Sequence, residues 1–180
     1  YFSHALRHAH NNRRRFVADP AFVDPIPIEG MLDKDYAAAL RKQIDPDKRS
    51  SIHSLDPEEQ EHGSTSHFSV ADEWGNMVSS TNTIVYFFGS KTAVPGTGIV
   101  MNNAMTSFWY KPSSINCIEP GKRPRSNMGP TIVFKEDKPF LVIGSPGSSR
   151  IPSAIAQVIM NVVDHGMSLA EAVNAPRLNC

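Results

Sequence analysis

The chain has 180 residues with 18 basic and 18 acidic side chains, a formal charge of zero, so no electrostatic argument favours nucleic acid or an anionic membrane surface as partner. Hydrophobic residues make up 40%, which suits one domain with a real core. No apolar run approaches the roughly 20 residues of a membrane helix, and no membrane contact is expected.

The opening residues YFSHALRHAH lack the apolar stretch of a signal peptide. The compartment stays open between periplasm, extracellular space and cytoplasm. Residues 3–16 read as a basic helix, and ADPAFVDPIPIEG after it as a Pro-rich turn region. Asp33 is placed to cap a second helix, KDYAAALRKQI, which Asp45-Pro46 stops. Residues 45–64 are polar and lack apolar periodicity, and read as a mobile connector.

The texture changes at Thr65. TSHFSVAD alternates, EWGN is a turn and MVSSTNT continues as a partner strand, which together predict a hairpin. IVYFFGS is continuously apolar, and GIVMNN is a further short strand candidate. TIVFKEDKPFLVIG predicts a second hairpin with KEDKP at its tip. RIPSAIAQVIMNVVDHG predicts a helix, with Pro152 in its first turn and Gly166 at its stop. Ile151, Ile155, Val158, Ile159 and Val162 recur at the helical period and define its buried face. Ser168 and Glu171 form a capping-box pattern for a short last helix. Strands followed by helices point to an α+β layered fold rather than alternating βαβ units. Both ends of the chain lie inside patterned sequence, as expected of a piece of a longer protein.

The chemistry-bearing residues are sparse. Cys117 and Cys180 have no spacing that asks for a disulfide framework or a metal site, and two unpaired thiols are expected. The seven His residues show no zinc spacing; His62 and His67 straddle the border between connector and strand. No metal and no cofactor is expected. Gly63-Ser64-Thr65 is not the G-x-S-x-G elbow. A Thr at a strand start is ordinarily a β-former. A cut before Thr65 would change that, because the hydroxyl and a free α-amine would then share one residue. Such an amine, with a pKa of about 7.7–8.0, takes the hydroxyl proton near neutral pH and makes a nucleophile of it. A strand end would hold the pair on a rigid support.

TSHFSVADEWGNMVSS, FGS, VPGTGIVMNN, GKRPRSNMGPTIV, IGSPGSSRI and GMSLAEAVNAPR resemble the small subunit of the γ-glutamyltransferase family. RRRFVADPAFVD and DKDYAAALRKQID resemble the end of that family's large subunit. The resemblance covers nearly the whole chain outside the connector. It implies an N-terminal nucleophile hydrolase with a four-layer αββα sandwich, incomplete here. Residues 1–44 would be the last part of the large-subunit region, 45–64 the connector before the cut, and 65–180 the small-subunit core without its end.

The same resemblance assigns roles. Thr65 matches the nucleophile, and the precursor would cut itself between Ser64 and Thr65. Thr83 matches the Thr that hydrogen-bonds the nucleophile. Gly147 and Ser148 match the turn whose N–H groups bind the oxyanion, with Ser148 replacing a Gly. A backbone donor survives that change if the turn needs no conformation that favours glycine. The substrate would be a small-molecule or peptide γ-glutamyl amide, the acyl acceptor water or an amine, and the partner the rest of the large subunit.

The grip on the substrate departs from the family. Val85 stands where the family has Asn, Ala104 where it has an acidic or amide residue, and Ser107 where it has the carboxylate that faces the substrate amine. Ser126 and Asn127 stand where paired serines bind the α-carboxylate. Arg123 and Arg125 are candidates to meet an acyl carboxylate, or else surface charges. A buried ammonium without facing acceptors is costly, so the acyl group is expected to shift. A glutaryl (cephalosporin-acylase-like) or polyglutamyl-processing activity is one alternative, and an inactive relative serving as a binding module is another. FWYKPSSINCIEPGKRP is short where some relatives carry a longer lid, which suggests an open cleft. Because the sequence is continuous across Ser64–Thr65, the piece itself is expected to be uncut and inactive.

Overall fold

The computed structural model describes residues 1–23, 25–48 and 64–179. Most of the predicted connector, His62 and Cys180 lie outside the described residues. Helices and strands occur together, as an α+β fold requires. The chain forms two compact units.

Among the described residues, the first unit comprises 1–23, 25–48 and 105–126. Helix α1 spans Phe2–Phe16, α2 Ile28–Leu32 and α3 Lys34–Lys42. Asp33 caps α3, its carboxylate accepting the N–H groups of Asp35 and Tyr36, which offsets two of the unpaired donors of the first turn. Helix α2 begins inside the segment read as turn; Pro27 stands at its N-cap position, and its single turn is too short for apolar periodicity to reveal. Leu6, Ala18 and Phe108 are buried here. So is Asn116, whose side chain donates to the Ser107 carbonyl at 2.8 Å and accepts from the Arg125 N–H at 3.2 Å. That one amide ties three points of the 107–125 segment and leaves neither of its ends unpaired.

Among the described residues, the second unit comprises 64–104 and 127–179. Strands β1 (Thr65–Ala71) and β2 (Met77–Thr83) form an antiparallel hairpin in the register Thr65↔Thr83 to Ala71↔Met77. Its turn is built on Asp72, whose carboxylate takes the N–H groups of Trp74 and Asn76 at 3.0 and 2.8 Å and the Asn76 amide at 2.6 Å. Strands β3 (Thr131–Lys135) and β4 (Lys138–Ile143) form the second hairpin. Its two turn residues, Glu136 and Asp137, both have positive φ, 52° and 57°, the primed geometry that matches strand twist.

Helix α4 (Ile151–Val163) buries Ile151, Ile155 and Val158, the face expected from the period. Helix α5 (Leu169–Asn174) carries the full Ser168–Glu171 capping box. The GIVMNN segment is not a strand. It contributes one isolated bridge, Ala93↔Val100, because Gly96 and Gly98 turn the chain at φ 77° and 71°. Gly89 lets this loop close on itself: a Cβ there would lie 2.0 Å from the Met101 carbonyl oxygen.

Candidate active site

The second unit brings together Thr65, Thr83, Val85 and the residues just before Thr65. Thr65 opens β1 and Thr83 closes β2, so the register sets them directly opposite. Their hydroxyls are 3.2 Å apart, with Thr65 donating to Thr83. The Val85 N–H donates to the same Thr83 oxygen at 2.9 Å. A threonine hydroxyl can accept twice and donate once, so both contacts fit one oxygen and fix where it sits.

Ser64 continues the line of β1. Its N–H donates to the Val85 carbonyl at 3.3 Å and its hydroxyl to the Tyr86 carbonyl at 2.8 Å. The loop that supplies these acceptors is itself laced down. The Tyr86 N–H donates to the Asn103 side chain at 3.1 Å, and the Asn103 N–H to the Ile84 carbonyl at 3.2 Å. Val85 has φ 74°, a region that a β-branched side chain rarely enters. Its N–H and its carbonyl are both engaged, and its side chain is apolar.

The face of the hairpin that starts with the two threonines is polar over its first three pairs and ends on Ala71 and Met77. Thr65 pairs with Thr83, His67 with Thr81 and Ser69 with Ser79. This face meets the end of β4. The Ser69 hydroxyl reaches the Val142 carbonyl at 3.4 Å, and the Ser79 hydroxyl the Ile143 carbonyl at 3.1 Å. The turn 145–148 follows directly. Gly147 has φ 130° and Ser148 φ 52°. The turn therefore does ask for the backbone region that glycine enters at no steric cost, and Ser148 enters it with a side chain. A short 3-10 turn, Ser148–Arg150, then leads into α4.

The remaining residues expected to grip a substrate divide between the two units. The Ala104 N–H donates to the Asn102 side chain at 2.9 Å, and its methyl offers no acceptor. Asn127 lies in the second unit, and its side-chain oxygen is buried without a hydrogen-bond partner. Ser107 and Ser126 belong to the first unit. Arg123 is also there, an exposed side chain whose charge is paired. Its guanidinium pairs with Asp19 at 2.7 and 3.1 Å, and its N–H adds a third contact at 2.8 Å. Asp19 is 4% exposed. The guanidinium hydrogen bond, followed by that of the Arg123 N–H, holds its carboxyl well below the usual carboxylate range. Cys117 is a free thiol. Among the described residues no group of His, Cys, Asp and Glu is arranged to hold a metal ion.

Sequence reasoning did not single out His67, Thr81, Ser69 and Ser79 as a set. The signal was present: polar residues at the first three alternate positions of both strands, on the face that begins with Thr65 and Thr83.

Comparison with known proteins follows the same lines. The family profile described as Gamma-glutamyltranspeptidase matches residues 1–180. A glutathione hydrolase proenzyme from a Pseudomonas species is 40% identical over 99% of this chain and 33% of its own length. The chain thus spans about a third of the length of the curated relatives it matches. A crystal structure of a Helicobacter pylori gamma-glutamyltranspeptidase mutant is 49% identical over 63% of this chain and 66% of that one, with a TM-score of 0.60. The cephalosporin acylase from Bacillus halodurans is 31% identical over 97% of this chain and 31% of that one, with a TM-score of 0.84.

Proposed function

Because this chain belongs to the gamma-glutamyltranspeptidase family, we propose that it is the junction region of a self-cleaving N-terminal threonine amidohydrolase and acyltransferase. The observation that carries the reading is the Thr65–Thr83 hydroxyl pair at 3.2 Å, set immediately after a Ser64 that is pinned on two sides. The Thr65 hydroxyl attacks the Ser64 carbonyl. The peptide bond passes to an ester on the Thr65 oxygen and frees the Thr65 amine, and water hydrolyses the ester. Residues 1–44 and 45–64 then belong to the piece before the cut, and 65–180 to the piece after it.

The new α-amine takes the hydroxyl proton, and the hydroxyl attacks a substrate amide. Thr83, held by the Val85 N–H, orients that hydroxyl. The backbone N–H groups of Gly147 and Ser148 bind the oxyanion. The acyl group then passes to water or to an amine. The fold in this reading is the αββα sandwich of N-terminal nucleophile hydrolases. The apolar outer face of the first hairpin supports it. Phe68, Val70 and Val78 are each about half exposed, a surface that a further layer would cover.

Several relatives are glutathione hydrolase proenzymes. A glutaryl-type acyl group is the second reading, favoured by one feature: Val85 and Ala104 offer no side-chain acceptor to a substrate ammonium. Loss of two such hydrogen bonds shifts selectivity by several powers of ten. Ser126 and Asn127 remain as donors for a carboxylate.

Mass spectrometry of the full-length protein tests the main reading. Two pieces are expected, the second beginning at Thr65, and Thr65→Ala leaves one intact chain. A wild-type chain that stays whole would sink it. Paired assays on γ-glutamyl and glutaryl anilides decide the acyl group.

A further inference from the structure

The polar face of the first hairpin contains a group that the mechanism above does not use. His67 is two residues after the proposed nucleophile, on the same face of β1. Its Nδ1 is 2.9 Å from the Thr81 hydroxyl and its Nε2 is 3.0 Å from the Ser69 hydroxyl. The Ser69 hydroxyl donates to the Val142 carbonyl at 3.4 Å, so its oxygen is left to accept. That assigns the ring hydrogen to Nε2, and leaves Nδ1 to accept from Thr81. The ring is thereby fixed at both nitrogens.

The flat side of this fixed ring lies against Gly144. A Cβ at Gly144 would come within 2.2 Å of Nδ1 and 2.3 Å of Cε1. No left-handed backbone is involved, since Gly144 is not among the positive-φ residues. Close approach alone excludes a side chain. Gly144 directly follows β4 and is followed at once by Ser145-Pro146-Gly147-Ser148, the turn that would hold the oxyanion. On one side the ring is bound to the hairpin that carries Thr65 and Thr83, and on the other it meets the backbone that leads into this turn.

We infer that His67 is a positioning residue: its ring sets the distance between the Thr65 hydroxyl and the N–H groups of Gly147 and Ser148. This rests on the amidohydrolase reading. The physical argument is one of tolerance. An oxyanion donor acts only within hydrogen-bond distance of where charge develops, and a displacement of about 1 Å can cost on the order of a hundredfold in rate. A rigid ring wedged between a strand and a glycine holds such a distance better than a flexible chain would. The ring itself neither touches substrate nor transfers a proton.

The test uses the full-length protein and three variants. His67→Phe keeps the ring shape and removes both hydrogen bonds, His67→Gln restores one donor, and Gly144→Ala keeps the histidine but forces it away. His67→Phe and Gly144→Ala should each lower kcat about ten- to a hundredfold with KM changed less than about twofold, and His67→Phe should retain the thermal midpoint and the shape of the pH profile. His67→Gln should recover part of kcat. In 15N spectra of the wild type, Nε2 should be protonated and Nδ1 bare. Unchanged kcat in either of the first two variants would overturn the proposal. In His67→Phe, kcat and KM failing together with the thermal midpoint, which marks a folding role, or a pH profile that loses a limb, which marks a proton-transfer role, would overturn it as well. A wild-type protein that turns over no amide removes the amidohydrolase reading instead, and this role with it.

Discussion

Thr65 and Thr83 face each other as the terminal cross-strand pair of an antiparallel hairpin, their hydroxyls 3.2 Å apart. Thr83 is in turn fixed by the Val85 N–H. The partner of the proposed nucleophile is thus held by backbone rather than by another side chain, and its position does not depend on a rotamer elsewhere.

Removing the Thr83 hydroxyl should therefore slow self-cleavage and amide turnover alike. A hydrogen bond to a developing charge contributes about 1.5–3 kcal/mol, which is about ten- to a hundredfold in rate. Thr83→Val should show this loss, and Thr83→Ser should keep most of the rate. Half-times of chain cleavage and single-turnover rates measure both. Equal rates for Thr83→Val and wild type would remove Thr83 from the mechanism.

Val85 and Ser148 both carry a side chain at positive φ, 74° and 52°, a conformation that costs about 1–3 kcal/mol for such residues. Ser148→Gly should raise the thermal midpoint, by about 1 kcal/mol of stability, because glycine enters this region without a clash. Val85→Asn should do the same, since Asn tolerates the left-handed region. It also offers a side-chain oxygen to a substrate ammonium, so γ-glutamyl anilide should gain on glutaryl anilide. Midpoints that fall in both variants would refute the account of strain, and an unchanged anilide ratio in Val85→Asn the account of selectivity.

Asp19 gives a pH signature in the first unit. Its carboxyl lies well below the usual carboxylate range when folded, held there by the Arg123 guanidinium and then by the Arg123 N–H, against about 3.9 in an unfolded chain. A depressed folded value means the folded chain binds the proton less well than the unfolded one. The stabilisation is complete above about pH 4–5 and is withdrawn as pH falls through the unfolded value toward the folded one. Asp19→Asn should lower the thermal midpoint near neutral pH, and the gap to wild type should narrow below about pH 4. A gap that stays constant with pH would show that the pair contributes no linked stability.

Much of this was legible in the chain. The first hairpin followed from alternation on both sides of a Gly75 turn, α4 from the spacing of Ile151, Ile155 and Val158, and the last helix from Ser168 and Glu171. Those signals are local and physical, and the structure keeps all three. Helix α2 was missed because one turn has no period. GIVMNN was overread because apolar β-formers between glycines look like a strand until the glycines turn the chain. Within the candidate site, Thr65 and Thr83 were singled out through family motifs, and their pairing is a matter of register. The set of His67, Thr81, Ser69 and Ser79 was not read, although its alternation was visible, because what gives it meaning is the carbonyl edge of β4. That edge is some seventy residues away in the chain. The backbone angle at Ser148 is a property of the turn, which no residue type announces by itself.

The two hydrogen bonds that hold Ser64 to the carbonyls of Val85 and Tyr86 bear on reaction order. They remove, before any chemistry, the freedom that a reacting carbonyl loses on meeting its nucleophile, and ordered intramolecular pairs of this kind behave as if one partner were present at an effective molarity of up to about 10⁵–10⁸ M. An attack by Thr65 on Ser64 would accordingly be first order in protein and indifferent to dilution, whereas the same hydroxyl acting on a soluble amide would follow the concentration of that amide.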